Sequence, residues 1–276
     1  MIKNNKRKKP RVAIIGLTSC EGCQFVMLDQ GKKILDWLRL TTMEEFRLLE
    51  DNPMPTIGEF DICLVEGTPI TKDNVKLLKE MRKRSKLLVV LGNCAALGGV
   101  WEIKNYRLKK KTIRYVYKNY LNVENPEIKE VDNFVKVDFT IPGCPITGEE
   151  LMETLYKLLA GRLPKLPQTP VCDECQKNGY KCLLQRGEIC LGPITLGGCH
   201  AVCLKSKQAC WGCRGLFEGA QVKNLMDFLL KNFTREQIYR VMEVFGARDT
   251  ILESLEGKNK KEGKKNPPAG GVTKKI

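Results

Sequence analysis

Thirteen cysteines stand in this chain of 276 residues, and most of them fall in close pairs. Cys20 and Cys23 form a C-x2-C pair, Cys94 stands alone in Gly92-Asn93-Cys94, and Cys144 sits in Pro142-Gly143-Cys144-Pro145. Eight more follow within 42 residues: Cys172, Cys175, Cys182, Cys190, Cys199, Cys203, Cys210 and Cys213. Four thiolates suit a zinc ion or a four-iron cluster equally. A C-x2-C pair by itself is weak, since redox disulfides share the spacing. Taken in chain order, the last eight divide into Cys172/175/182/190 and Cys199/203/210/213. The bacterial ferredoxin run is absent, so spacing leaves zinc and iron–sulfur both open for these two sets. The single histidine, His200, adjoins Cys199, but with full thiolate sets it reads as a neighbouring donor or an exposed side chain. Cys63 lies among apolar residues and reads as a buried free thiol.

Around these residues, the first ~160 positions alternate between strand and helix patterns. Strands are predicted at Arg11–Gly16, Phe46–Leu49, Phe60–Glu66, Leu87–Leu91 and Val135–Ile141. Helices are predicted over 22–40, from Thr71 to about Arg84, and from Thr147 to near Gly161. Glu149 and Glu150 fall in the first turn of the last, where a helix dipole favours acids. This is the alternation of a flavodoxin-like, doubly wound parallel sheet. Cys20, Cys23, Cys94 and Cys144 then all lie just past the carboxyl ends of strands, the edge where such sheets bind ligands. Gly16, Gly22, Gly92 and Gly143 let backbone approach such a centre. Glu66 shares the edge, either as a helix cap or as part of the site, and Glu21 stands inside the C-x2-C pair. A Pro-rich linker, Leu163 to Pro170, leads into a cysteine-rich region expected to be organised by metal. Helical periodicity returns over 219–256. The predicted domains are 11–163 and 164–256, flanked by flexible basic ends at 1–10 and 257–276.

The formal charge of +15 is concentrated in residues 1–11 and 257–276, which hold +12 and leave +3 for residues 12–256. Lys104 to Lys118 carries seven Lys/Arg interleaved with tyrosines, a patch that could touch nucleic acid but reads more simply as a solvated face. No export signal or membrane-crossing apolar run is recognised, so a cytoplasmic location is expected, where paired cysteines read as metal ligands rather than disulfides. A zinc-stabilised module binding nucleic acid or protein is the alternative from a different class.

These motifs together resemble the small subunit of nickel–iron hydrogenases. The matching segments are Thr18-Ser19-Cys20-Glu21-Gly22-Cys23, Val65-Glu66-Gly67, Gly92-Asn93-Cys94-Ala95, Pro142-Gly143-Cys144-Pro145, Cys190-Leu191-Gly192-Pro193 and Cys210-Trp211-Gly212-Cys213. The resemblance implies three 4Fe-4S clusters. Cys20, Cys23, Cys94 and Cys144 would hold the proximal one, with Glu21 and Glu66 nearby. Cys199, Cys203, Cys210 and Cys213 would hold the medial one, and Cys172, Cys175, Cys182 and Cys190 the distal one. It further implies an electron-transfer subunit of a cytoplasmic hydrogenase, with the nickel–iron site in a large subunit. Flavin-bearing NAD(P)-linked and iron–sulfur subunits would complete a heterotetramer, with no nucleic-acid or membrane partner. Cys172 stands where exported relatives have a histidine, and Cys203 supplies a fourth medial ligand that they lack. Both departures point to the branch of the archaeal sulfhydrogenase delta subunit, with the coenzyme F420-reducing and heterodisulfide-reductase-linked hydrogenases as neighbouring alternatives.

Overall fold

The structure, a computed structural model, describes residues 8–49, 58–119, 123 and 126–257. The expected frayed ends therefore lie almost wholly outside the described residues. Five strands build one parallel sheet: β1 (Arg11–Gly16), β2 (Thr42–Phe46), β3 (Phe60–Glu66), β4 (Ser85–Leu91) and β5 (Phe139–Ile141). Their order is β2-β1-β3-β4-β5, the flavodoxin-like arrangement, with the switch point between β1 and β3. β1, β3 and β4 are near-continuous apolar runs because helices cover both faces. On one face α1 (Gly22–Leu28), α2 (Lys32–Leu40) and α6 (Gly148–Leu159) pack with Val12, Ile14, Leu64 and Leu91. On the other, α3 (Lys72–Arg84) and α4 (Gly92–Leu97) pack with Ile15, Val65 and Val90. The remaining helix of this half, α5 (Lys109–Val116), belongs to the basic patch. There Tyr115, Val116 and Tyr117 are exposed, as on a solvated face.

The fourth strand starts two residues earlier than read, at Ser85, and three further differences from the sequence reading have a local reason. The 22–40 helix is two helices, broken where Gly31 takes a positive φ of 54°. The second strand is Thr42–Phe46, and residues 47–49 form a short 3-10 turn instead. Its acids concealed it: Glu44 pairs with Arg11 at 2.8 Å, and Glu45 with Arg47 at 2.6 Å. Charge of this kind is usual on an edge strand. The last strand shrinks to Phe139–Ile141 because Asp138 turns to Arg82 and to the Leu88 N–H.

Beyond the sheet the chain forms α7 (Val171–Lys177), α8 (Val202–Lys205), α9 (Val222–Leu229), α10 (Arg235–Glu243) and α11 (Arg248–Leu255). The last three enclose a small core around Leu225, Leu229, Ile238 and Met242. The two short helices α7 and α8 were not legible as periodicity, being only seven and four residues long.

Candidate metal centres

The sheet's carboxyl edge gathers the first four cysteines. Cys20 precedes α1 and Cys23 lies in it, Cys94 lies in α4 directly after β4, and Cys144 follows β5. Glu66, the last residue of β3, is 2% exposed and caps α1. Its carboxylate accepts the Cys23 N–H at 2.9 Å, the Gln24 N–H at 3.1 Å and the Gln24 side-chain amide at 3.0 Å. Glu66 therefore satisfies otherwise orphaned helix donors and fixes the turn that carries the C-x2-C pair. Glu21 is exposed, with a φ of 61°; its N–H donates to Ser19 Oγ and its carbonyl accepts the Phe25 N–H.

The thiols of this edge face one another. Burial pushes the Cys94 thiol up to about 12, with Cys144, Cys20 and Glu66 adding to it. Burial and then Cys20 raise Cys144. Burial raises Cys23 most, followed by Glu66. Gly92, at φ 79°, leaves no room for a side chain, because a Cβ there would collide with Cys23 Sγ. Cys63 lies elsewhere, mid-strand in β3 and wholly buried in the opposite core.

Cys172, Cys175, Cys182 and Cys190 line one pocket, walled otherwise by apolar residues such as Val171 and Leu204. Burial and then Cys190, Cys175 and Cys182 push Cys172 up to about 12. The backbone closes on this pocket at Gly192, where a Cβ would stand 3.4 Å from Cys172 Sγ and 3.5 Å from Cys190 Sγ. In the third set, burial pushes Cys213 up to about 12; the Cys144 N–H opposes this, and Cys199, Cys144 and Cys203 reinforce it. Burial likewise raises Cys210, which faces Cys190 and Cys213. The Cys210 N–H donates to Cys190 Sγ at 3.4 Å. The set of Cys199, Cys203, Cys210 and Cys213 thus lies between the other two, touching Cys144 on one side and Cys190 on the other. Cys20 and Cys144 of the first set, Cys203 of the middle set and Cys182 of the last are exposed.

The donor chemistry fits iron–sulfur clusters. Each set offers four sulfurs, and backbone N–H groups already point at several of them, those of Cys23, Cys190, Cys199, Cys210 and Cys213 included. Among the described residues no three His, Cys, Asp or Glu side chains converge tightly enough to share a single metal ion. His200 is not turned to any sulfur; its exposed ring meets Glu149 at 3.2 Å.

Four polar residues were missed in the sequence. Asn93 donates to the carbonyls of Cys213 and Phe245, both at 2.9 Å, joining the first and third sets. Glu174 accepts the Ala201 N–H at 3.0 Å and lies 3.8 Å from Cys199 Sγ. Arg214 and Glu150 form a buried pair, Nη2 to Oε1 2.8 Å apart. Their position beside cysteine motifs was the available signal, but nothing in the spacing says which polar neighbour turns inward. Among the described residues no helix is long and apolar enough to cross a membrane.

Comparison with known proteins adds the lineage. Residues 20–158 match the family described as NADH ubiquinone oxidoreductase, 20 Kd subunit. Sulfhydrogenase 2 subunit delta of Pyrococcus furiosus is 35% identical over 239 residues, covering 85% of this chain and 98% of that one. One subunit of the F420-non-reducing hydrogenase of Methanocaldococcus jannaschii is 32% identical over 235 residues, covering 74% of this chain and 81% of that one. Among solved structures, an NAD+-reducing NiFe-hydrogenase in the H2-reduced state matches with a TM-score of 0.52 and 28% identity. That match covers 58% of this chain and 96% of the other.

Proposed function

The chain belongs to the NADH ubiquinone oxidoreductase 20 Kd subunit family and, within it, to the hydrogenase small subunits; on that premise we propose that it relays electrons through three 4Fe-4S clusters. As a hydrogenase subunit it works beside a large subunit that carries the nickel–iron site. In the proposal Cys20, Cys23, Cys94 and Cys144 hold the cluster nearest that site. Cys199, Cys203, Cys210 and Cys213 hold the middle one, and Cys172, Cys175, Cys182 and Cys190 the last. Bound there, the clusters supply one-electron relay stations for reversible H2 oxidation. The chain's own part is to bury and space the thiolates and to aim N–H groups at the sulfurs. The observation that carries this reading is the order of the three thiol sets, the middle one joined to the first through Cys144 and to the last through Cys190.

Residues 11–163 and 164–256 are taken as the two domains, each with its own core. At the Cys182 end we place a flavin-bearing, NAD(P)-linked or sulfur-reducing module together with an iron–sulfur subunit, in a cytoplasmic heterotetramer. The names borne by the relatives, sulfhydrogenase and NAD+-reducing hydrogenase, support that choice. Anaerobic purification of the complex tests the reading. About twelve irons per copy of this chain are expected, with H2-dependent reduction of NADP or sulfur. A colourless protein holding mostly zinc would end the proposal. Reduction of coenzyme F420 alone would move the chain to another branch.

A further inference from the structure

Arg214 follows directly on Cys213, and its side chain is 1% exposed. Its N–H groups meet five acceptors. Nε donates to the Leu196 and Gly197 carbonyls at 3.2 and 2.9 Å. Nη1 donates to the Pro142 carbonyl at 2.7 Å and to Glu150 Oε2 at 2.9 Å, and Nη2 donates to Glu150 Oε1 at 2.8 Å. Pro142 lies two residues before Cys144, and Gly197 two residues before Cys199. One guanidinium therefore ties together the loops of Cys144, Cys199 and Cys213, which belong to two different thiol sets. Gly198 seals it: at φ 110°, a Cβ there would stand 2.5 Å from Arg214 Nη2 and 3.2 Å from Glu150 Oε1.

We propose that Arg214, held by Glu150, is a positioning residue that fixes the separation between the centre at the sheet edge and the middle centre. This rests on the cluster reading above. Stability alone does not account for the arrangement. A buried ion pair is often matched or bettered by an apolar pair of equal volume. An apolar pair cannot supply directed bonds to three loops at once, and the planar fork of arginine can. The step served is simple in its balance: one electron leaves one centre and reduces the next, with no bond made or broken. Its rate decays steeply with separation, so small drifts of these loops slow it.

Two variants of the assembled complex test this, with iron content measured first. Arg214→Lys keeps the charge and loses the fork. Arg214→Met with Glu150→Met removes both charges and leaves neither partner buried alone. The readouts are the magnetic interaction between the two neighbouring reduced centres, the electron-transfer rate between them and the melting temperature. Both variants are expected to bind full iron, with an altered magnetic interaction. The inter-centre rate should fall at least about threefold, within the ~10²-fold that a 1 Å misplacement can cost a positioned reaction. An unchanged interaction and rate in both variants, whatever the melting temperature, would overturn the inference. Wild-type complex lacking iron would instead sink the cluster reading, so the two failures are distinguishable.

Discussion

The sheet-edge site and the cysteine-rich segment hold the same kind of ligand on opposite kinds of scaffold. Around Cys20, Cys23, Cys94 and Cys144 the loops are anchored to strands whose two faces are each covered by an apolar core. Only Cys23 of that set contributes to a core, and it is one residue among many. In the second region the cysteines are themselves part of a core. Cys175, Cys190 and Cys210 pack with Val171, Leu183, Ala201 and Leu204, while Leu191 and Ile194 tie the segment to the core of α9, α10 and α11. Burial is the largest cause that raises Cys172, Cys210 and Cys213, and neighbouring sulfurs add to it. On the proposed reading, the first region is a fold that can bind a cluster, whereas the second is expected to depend on binding one for much of its order.

The strongest way to break that comparison is to remove the iron. In metal-free chain, amides of 171–213 are expected to exchange with solvent at least ~10²-fold faster than in the loaded protein. Amides of β1, β3 and β4 should change little. Hydrogen exchange read by mass spectrometry decides it, and uniform loss or uniform retention across the two regions would sink the contrast. A smaller effect is expected from Cys203→Ala. Cys203 is exposed, in the short helix α8. Its loss should cost about one iron of the middle cluster and leave a three-iron magnetic signature. If all three four-iron clusters persist, Cys203 is not a ligand and the division of the eight cysteines is wrong.

The same contrast explains what was legible in the sequence. β1 and β3 were read residue for residue, because strands buried on both faces are written as unbroken apolar runs. With those strands known, the convergence of Cys20, Cys94 and Cys144 followed from topology alone. The cysteine-rich segment has no such code. Its order rests on single contacts, such as Glu174 on the Ala201 N–H or Arg214 on the Pro142 carbonyl, which no periodicity announces. Positive φ at His200 and Ala201, both non-glycine, is equally invisible in advance. The edge strand Thr42–Phe46 was hidden for a different reason, its acids being answered by arginines rather than by water.

Glu66 sharpens the comparison from the sheet side. Its two oxygens accept three N–H groups in a buried place. Glu66→Gln keeps the shape but replaces one acceptor with a donor, leaving at least one helix donor unsatisfied. A loss of roughly 1–3 kcal/mol is expected, seen as a lower urea midpoint by the fluorescence of Trp37, a wholly buried residue of the same core. Because the cap holds the turn and not the sulfurs themselves, iron content should stay near normal. Loss of one whole cluster at unchanged stability would instead make Glu66 part of the site's chemistry.

The smallest expected effect comes from Cys63, the cysteine that is packed rather than offered. It pairs across the sheet with Ala13 and Leu88 and is 0% exposed. Cys63→Ala should leave iron and electron transfer intact and cost about 1 kcal/mol at neutral pH through the small cavity it opens. The cost should also depend on pH. Burial, opposed by the Ser85 side chain, pushes the thiol from 9.0 up to about 12. A raised pKa means that the unfolded chain gives up this proton first as pH climbs. The stabilisation is then complete below about pH 9 and is lost progressively as pH rises toward 12. The ligand cysteines are common to both proteins and cancel in the difference. The gap between wild type and Cys63→Ala, measured by Trp37 fluorescence in urea, should therefore narrow from pH 7 to pH 10.5. A gap that widens with pH, or a variant short of one cluster, would show that Cys63 is a ligand after all and that the sheet interior, not its edge, takes part in the relay.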